Sequence, residues 1–72
     1  MAKLFRNCRY EVLVYTPNEG LWSRHSSLTS ARRSYREVVN NRRGDHPAGM
    51  RVELRDNLDT VLVLERGEAH AT

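Results

Sequence analysis

The fold is decided by one stretch of the chain, residues 26–44, which reads SSLTSARRSYREVVNNRRG. Its apolar residues recur with a period near 3.6, the period of an α-helix. At about 100° per residue they fall within roughly 100° of arc, and they are Leu28, Ala31, Tyr35, Val38 and Val39. Serines and a threonine surround the start as N-cap candidates, and Gly44 is a residue type that often ends a helix. We predict one amphipathic helix from Leu28 to Arg43.

The segments on either side of this helix predict two β-hairpins. Upstream, residues 8–16 alternate apolar and polar side chains, and a Pro-Asn-Glu-Gly turn leads to a shorter strand at 21–26. Downstream, residues 50–55 alternate in the same way, and the turn at 56–59 leads to a last strand at 60–65. The last strand is apolar on both faces, so we expect it in the middle of the sheet. The predicted fold is α+β in the order β-β-α-β-β, a four-stranded, mostly antiparallel sheet with one helix packed on one face.

The length and composition of the chain indicate its general class. Its 72 residues predict one domain, with an ordered core at about residues 4–66 and a polar, flexible tail at 67–72. The single cysteine, Cys8, excludes an intramolecular disulfide, which is typical of a reducing compartment. No apolar run approaches the ~20 residues of a membrane-spanning helix. We therefore expect a cytoplasmic protein that does not bind membranes.

The positive charge of the chain is unevenly distributed. The formal net charge is +3, but residues 1–36 carry +5 and residues 37–72 carry −2. Eleven of the twelve basic residues are arginines, which suit planar, bidentate contact with phosphate or carboxylate groups. A GC-rich genome, which favours arginine codons, is the alternative source of this excess.

The arginines of the predicted helix lie on one side of it. At helical spacing they form a flank beside the apolar face, which suits phosphate oxygens or the acidic side chains of a protein partner. The candidate partner-binding residues are Arg32, Arg33, Arg36, Asn40 and Arg43, with Arg24 added from the preceding strand. An ordinary solvated helix face is the alternative, and Arg42 and Arg43 would also be favourable in a last helical turn.

A second candidate surface is the sheet face that the helix leaves open. Exposed apolar and aromatic groups among charges are typical of protein–protein interfaces. This alternative site, for a partner protein or a homodimer, consists of Leu13, Tyr15, Arg51 and Arg55.

The remaining aromatic and ionisable residues do not form a recognisable catalytic or metal-binding motif. For Trp22 we favour core packing over stacking on a base beside Arg24 and His25. The three histidines and Cys8 fit no compact zinc spacing. Asp45 and His46 are adjacent in a loop without a nucleophile nearby in sequence. We expect no catalytic residue, no metal, no cofactor and no small-molecule substrate.

The layout of the chain resembles a known class of small proteins. A YEVLVYTPNEGLW hairpin, a SARRSYREVV helix and a MRVELRDNLDTVLVLE hairpin, spanning about residues 8–66, resemble small accessory proteins of bacteriophages and other mobile elements, including some anti-CRISPR inhibitors. The resemblance implies a stoichiometric binder rather than an enzyme. The expected function is binding of nucleic acid, or of a nucleic-acid-handling complex, through the arginines of the helix, with inhibition as one form of that activity.

Overall fold

The structure is a computed structural model that describes residues 8–57 and 60–70. Its elements are β1 (Tyr10–Tyr15), β2 (Glu19–His25), α1 (Leu28–Asn40), β3 (Arg51–Asp56) and β4 (Leu62–Glu68). The four strands form one antiparallel sheet in the order β2-β1-β3-β4, and the helix packs on one face. The predicted α+β class and β-β-α-β-β order are confirmed. The predicted core at 4–7, turn residues 58–59 and tail residues 71–72 lie outside the described residues.

The core lies between the helix and the two central strands. β1 pairs with β3 so that Val12 lies opposite Leu54 and Val14 lies opposite Val52. Val12, Val52 and Leu54 are completely buried. The alternation predicted for β1 is therefore confirmed, because every second side chain of the strand points toward the helix.

The helix presents its predicted apolar face to this sheet. The side chains that contact the core are the five that the period identifies: Leu28, Ala31, Tyr35, Val38 and Val39. The helix begins after Ser27, whose hydroxyl accepts a hydrogen bond from the backbone N–H of Ser30 at 3.2 Å. This N-cap satisfies one of the backbone donors that a first helical turn leaves unpaired.

The helix ends at Asn40 rather than at Arg43, so the predicted C-terminus was wrong. Asn41 adopts a left-handed conformation with φ 50°, and its backbone N–H donates to the carbonyls of Glu37 and Val38. Asparagine tolerates this conformation better than residues other than glycine. Arg42 and Arg43 therefore lie just beyond the last helical turn and not within it.

The last strand is at an edge of the sheet, which corrects the central position predicted from its apolar sequence. β3 and β1 are the central strands, and β4 pairs only with β3. Before and at the start of β4, Val61 and Leu62 remain 63% and 56% exposed. The prediction assumed that the most apolar strand would be central. Here the central strands bear charged side chains on their outer face, and these can be central because the charges pair with one another.

The last strand extends beyond residue 66, into the segment for which the sequence predicts a polar, flexible tail at 67–72. β4 continues to Glu68, and Ala69 is buried with its N–H bonded to the carbonyl of Met50 at 2.8 Å. The N–H of His70 donates to the carbonyl of Val39 at 2.9 Å. A residue without a Cβ suits position 67, because the strand there passes close to Tyr35 and Val39 of the helix.

Asn41 connects this chain end to the loop that follows the helix. Its side chain is buried, with only 2% of the residue exposed. Nδ2 donates to the carbonyls of His46 and His70, both at 2.9 Å, and Oδ1 accepts from the N–H of His46 at 3.3 Å. One carboxamide thus joins the end of α1, the loop and the segment after β4.

We expect Gly67→Ala to destabilise the fold. A Cβ at residue 67 would lie 2.5 Å from the hydroxyl of the buried Tyr35 and 3.3 Å from a methyl group of Val39. Relieving this overlap requires movement of a packed ring, so the free energy of unfolding should fall by about 1–3 kcal/mol. Urea denaturation followed by circular dichroism measures the change.

Gly20→Ala is the matched control, because Gly20 also lies in an edge strand. A Cβ added at residue 20 would have the carbonyl oxygen of Val14 as its nearest neighbour, at 3.8 Å, which is an ordinary van der Waals contact. Equal stability of the two variants would contradict the argument from close approach to Tyr35.

Within residues 8–57 and 60–70, no helix combines the length and the apolar character that crossing a membrane requires. The turn between β1 and β2 contains a cis peptide bond between Thr16 and Pro17.

Candidate functional site

An open groove of about 540 Å³ runs along the solvent side of α1. It contains four arginines and one glutamate, which give it a formal charge of +3. We call it the arginine groove, and its lining residues are Thr29, Arg32, Arg33, Arg36, Glu37, Asn40 and Arg42. Four of the residues proposed from helical spacing, Arg32, Arg33, Arg36 and Asn40, therefore lie together.

Two other candidates, Arg43 and Arg24, lie outside the arginine groove. Because the helix ends at Asn40, the backbone turns at Asn41 and Arg43 faces a neighbouring pocket, whereas Arg42 lines the groove. Arg24 lies in β2 opposite Glu11, and its Nε contacts Oε2 of Glu11 at 3.1 Å. The structure therefore does not bring either residue into the groove: the spacing argument for Arg43 assumed a longer helix, and Arg24 was added from the preceding strand without its pairing partner.

The arginines of the groove differ in how far they are neutralised. Nε of Arg32 lies 3.3 Å from Oε2 of Glu65, and both side chains are substantially exposed. Arg33, Arg36 and Arg42 are exposed and form no ion pair with any residue that the structure describes. An exposed pair such as Arg32–Glu65 contributes little free energy, so Arg32 also remains available to an anion.

The open sheet face has a different electrostatic character. Glu53 is 5% exposed and accepts hydrogen bonds from Nε of Arg55 and from the hydroxyl of Tyr15, both at 3.0 Å. Arg66 approaches the other carboxylate oxygen of Glu53 at 3.3 Å, and Arg55 also pairs with Glu19 at 3.0 Å. The charges on this face therefore neutralise one another.

The proposed alternative site on the sheet face is largely occupied by these internal contacts. Leu13 is only 4% exposed, so it does not form the exposed apolar patch on which the hypothesis rested. Tyr15 and Arg55 are hydrogen-bonded to each other, and the guanidinium of Arg51 lies over the ring of Tyr15 at 4.3 Å. Long charged side chains cover the apolar positions of this face.

The contacts of Glu53 predict a pH dependence of stability. Burial alone would raise the pKa of Glu53, but hydrogen bonds from Arg55 and Tyr15 and the charges of Arg55 and Arg66 lower it below 4.5. A carboxylate with a lowered pKa in the folded state stabilises that state above the unfolded pKa. The stabilisation is lost as the pH falls through the lowered pKa.

We therefore expect Glu53→Gln to lower the free energy of unfolding by about 2 kcal/mol at neutral pH. The difference in stability between this variant and the wild type should shrink as the pH falls below 4.5, because the wild-type carboxylate becomes protonated. Urea denaturation as a function of pH measures this. Glu68→Gln is the control, since Glu68 is exposed and makes no ion pair among the described residues. A constant deficit of the Glu53→Gln variant at all pH values would contradict the assignment.

A second cavity, of about 200 Å³, lies beyond the C-terminal end of α1. Trp22 forms one wall, and its ring meets the His46 ring edge-on, with centroids 4.7 Å apart and planes at 73°. We call this cavity the tryptophan pocket, and its lining residues are Trp22, Glu37, Val38, Asn41, Arg42, Arg43, Asp45 and His46.

The position of Trp22 differs from the core packing predicted for it. The residue is 48% exposed. It lies beside His46 rather than beside Arg24 and His25, and the His25 ring instead contacts the hydroxyls of Ser23 and Ser30. β2 pairs with β1 through a bulge at Val12/Leu13, which interrupts the regular alternation of side chains next to Trp22.

The tryptophan pocket contains Asp45 and His46, the adjacent acid and base noted in the sequence. No serine, threonine or cysteine of the described chain lines it, so those residues offer it no hydroxyl or thiol nucleophile. Among residues 8–57 and 60–70, no three His, Cys, Asp or Glu side chains are grouped in a way that could hold a metal ion.

Sequence reasoning missed the pairing of Trp22 with His46, and it gave Arg42 only as an outlying candidate although Arg42 lines the groove. Both follow from the left-handed turn at Asn41, which brings the loop back toward β2. The Asn-Asn pair at 40–41 is the signal that was available, since asparagine is the residue after glycine most often found in this conformation.

Comparisons of this chain with protein-family models, with curated proteins and with solved structures found no match.

Proposed function

We propose that this protein is a small, non-enzymatic binder of nucleic acid that holds phosphate groups in the arginine groove. The supporting observation is a contrast between the two faces of the molecule. On the sheet face, Arg24, Arg55 and Arg66 each contact a carboxylate. On the helix, Arg33 and Arg36 have no such partner among the described residues. Arg51 of the sheet face also lacks a carboxylate partner among the described residues, but its guanidinium lies over the ring of Tyr15. Three arginines without such a partner, Arg33, Arg36 and Arg42, line a single groove.

The chemistry of the groove favours phosphate as its ligand. The guanidinium group donates hydrogen bonds in a planar fork that matches phosphate oxygens. Thr29 and Asn40, which also line the groove, add neutral hydrogen-bonding groups of the kind that position a nucleic-acid backbone. Such contacts supply affinity without reading the base sequence, so the binding is only weakly sequence-specific.

The layout of the chain supports stoichiometric binding rather than catalysis. Its resemblance to small accessory proteins of phages and mobile elements favours a role in which the protein occupies a nucleic acid or a complex that handles one. An inhibitor of such a complex would act through the same groove.

Titration of labelled duplex and single-stranded oligonucleotides at low and moderate salt tests this proposal. Contacts to about three phosphates predict that log K falls against log salt concentration with a slope of about −2 for single strands and about −3 for a duplex. Absence of binding to either form at low salt would overturn the proposal. Binding with no salt dependence would equally overturn the role of the arginines.

A further inference from the structure

The tryptophan pocket and the arginine groove are neighbours with different chemistry. Glu37 and Arg42 line both, so the two spaces adjoin at the end of α1. The groove has a formal charge of +3. The pocket has two arginines against one glutamate and one aspartate, so these four formal charges cancel. A phosphate is therefore drawn to the groove and gains little in the pocket.

We infer that the tryptophan pocket receives one unpaired base of a single-stranded nucleic acid whose phosphates lie in the arginine groove. This inference rests on the proposed function and names the form of nucleic acid that the same site takes. A base within a duplex is stacked on its neighbours and cannot enter, whereas a base of a single strand is free to turn outward.

The exposure of Trp22 supports this assignment. A half-exposed indole beside arginines offers a face on which any base can stack, and such platforms recur in proteins that bind single strands. The T-shaped contact with His46, with ring centroids 4.7 Å apart, defines the arrangement of the two rings before a base arrives. Asn41 donates to the carbonyl of His46 and accepts from its N–H, and these two hydrogen bonds fix the position of that histidine in turn.

The size and polarity of the pocket also fit a base. Its volume of about 200 Å³ is below the roughly 300–1,000 Å³ of pockets that enclose drug-sized ligands, which favours a single planar ring as its occupant. Val38 supplies an apolar contact, and the carboxylates of Glu37 and Asp45 accept hydrogen bonds from ring or amino N–H groups. These are the groups that a base edge presents.

The test uses Trp22 itself, because it is the only tryptophan of the chain. Single strands of about 12 nucleotides, as DNA and as RNA, should quench its fluorescence, whereas a duplex of the same length should bind with little quenching. Fluorescence anisotropy of a labelled strand then measures affinity in variants. Trp22→Ala should weaken single-strand binding about tenfold and leave duplex binding unchanged, and Trp22→Phe should retain most of the affinity.

Leu21→Ala is the matched control, because Leu21 is 47% exposed beside Trp22 in the same strand. It should leave single-strand affinity unchanged, and circular dichroism confirms that each variant is folded. Unchanged single-strand affinity in a folded Trp22→Ala variant, together with salt-dependent binding, would overturn the base pocket and leave the proposed function standing. Equal losses for single strand and duplex would also overturn it. Absence of all binding by the wild-type protein would overturn both.

Discussion

Replacement of Arg33 and Arg36 together by glutamine should weaken nucleic-acid binding by about 100-fold at low salt. Each arginine is exposed and has no carboxylate partner among the described residues, so its guanidinium is available to a phosphate. A hydrogen bond to a charged group contributes about 1.5 kcal/mol, and every 1.4 kcal/mol changes affinity about tenfold. Glutamine retains a polar side chain of similar length at the helix surface, so the fold should be preserved.

The salt dependence gives a second measurement of the same change. Loss of two phosphate contacts should make the slope of log K against log salt concentration shallower by about 1.4 for a single strand. This quantity depends on the number of neutralised phosphates and not on the concentration of active protein. It therefore distinguishes lost contacts from partial unfolding.

The control for total charge is the double change Arg51→Gln and Arg66→Gln on the sheet face. Both double variants lower the formal net charge by two, from +3 to +1. If the groove binds the phosphates, the sheet-face variant keeps most of its affinity. Equal losses in the two variants would show that binding depends on overall charge and would contradict a defined groove.

Asn41→Ala should have the largest effect on stability, lowering the free energy of unfolding by about 3–5 kcal/mol. The change removes the part-buried hydrogen bonds that the Asn41 side chain donates to the carbonyls of His46 and His70. It also places alanine at a φ of 50°, where a Cβ without a hydrogen-bonding side chain is unfavourable. A domain of this size has a total stability of only about 4–11 kcal/mol, so much of the variant should be unfolded near body temperature.

Two further variants separate the loss of the side-chain hydrogen bonds from the cost of alanine in the left-handed conformation. Asn41→Gly removes the same hydrogen bonds but accepts the left-handed conformation, so it should be more stable than Asn41→Ala by about 1 kcal/mol. Asn40→Ala changes the neighbouring exposed asparagine and should leave stability nearly unchanged. Urea denaturation of the three proteins measures both differences. Similar stability of the Asn40→Ala and Asn41→Ala variants would contradict the bridging role of the Asn41 side chain.

The element order and the helix core face could be predicted because both are recorded in local periodicity. Ala31, Tyr35 and Val38 recur at helical spacing, and the residues of β1 alternate, so each face follows from its own segment. The grouping of Arg32, Arg33 and Arg36 was predictable for the same reason. These features need no knowledge of which segments meet in space.

The features that were mispredicted depend on contacts between distant segments. The helix ends at Asn40 because the carboxamide of Asn41 finds partners in the loop and after β4, and nothing local distinguishes Asn41 from Asn40. β4 lies at an edge although it is apolar, because strand order depends on how β1 and β3 pair. Trp22 is exposed because a bulge alters the register of β2. Pairing and register of this kind cannot be inferred from one segment alone.

The pairing of β1 with β3 has a consequence for how the chain folds. Each hairpin joins strands that are adjacent in sequence. Tyr15 pairs with Arg51 across a much longer separation that contains β2, the helix and the loop after it. The entropy of closing that long loop opposes this pairing until Val12 and Leu54 come into contact and bury each other. We therefore expect that formation of the β1–β3 pairing is the folding step that commits the chain to its native topology. Substitutions at the paired positions of β1 and β3 should slow folding, and substitutions in the edge strands β2 and β4 should mainly accelerate unfolding.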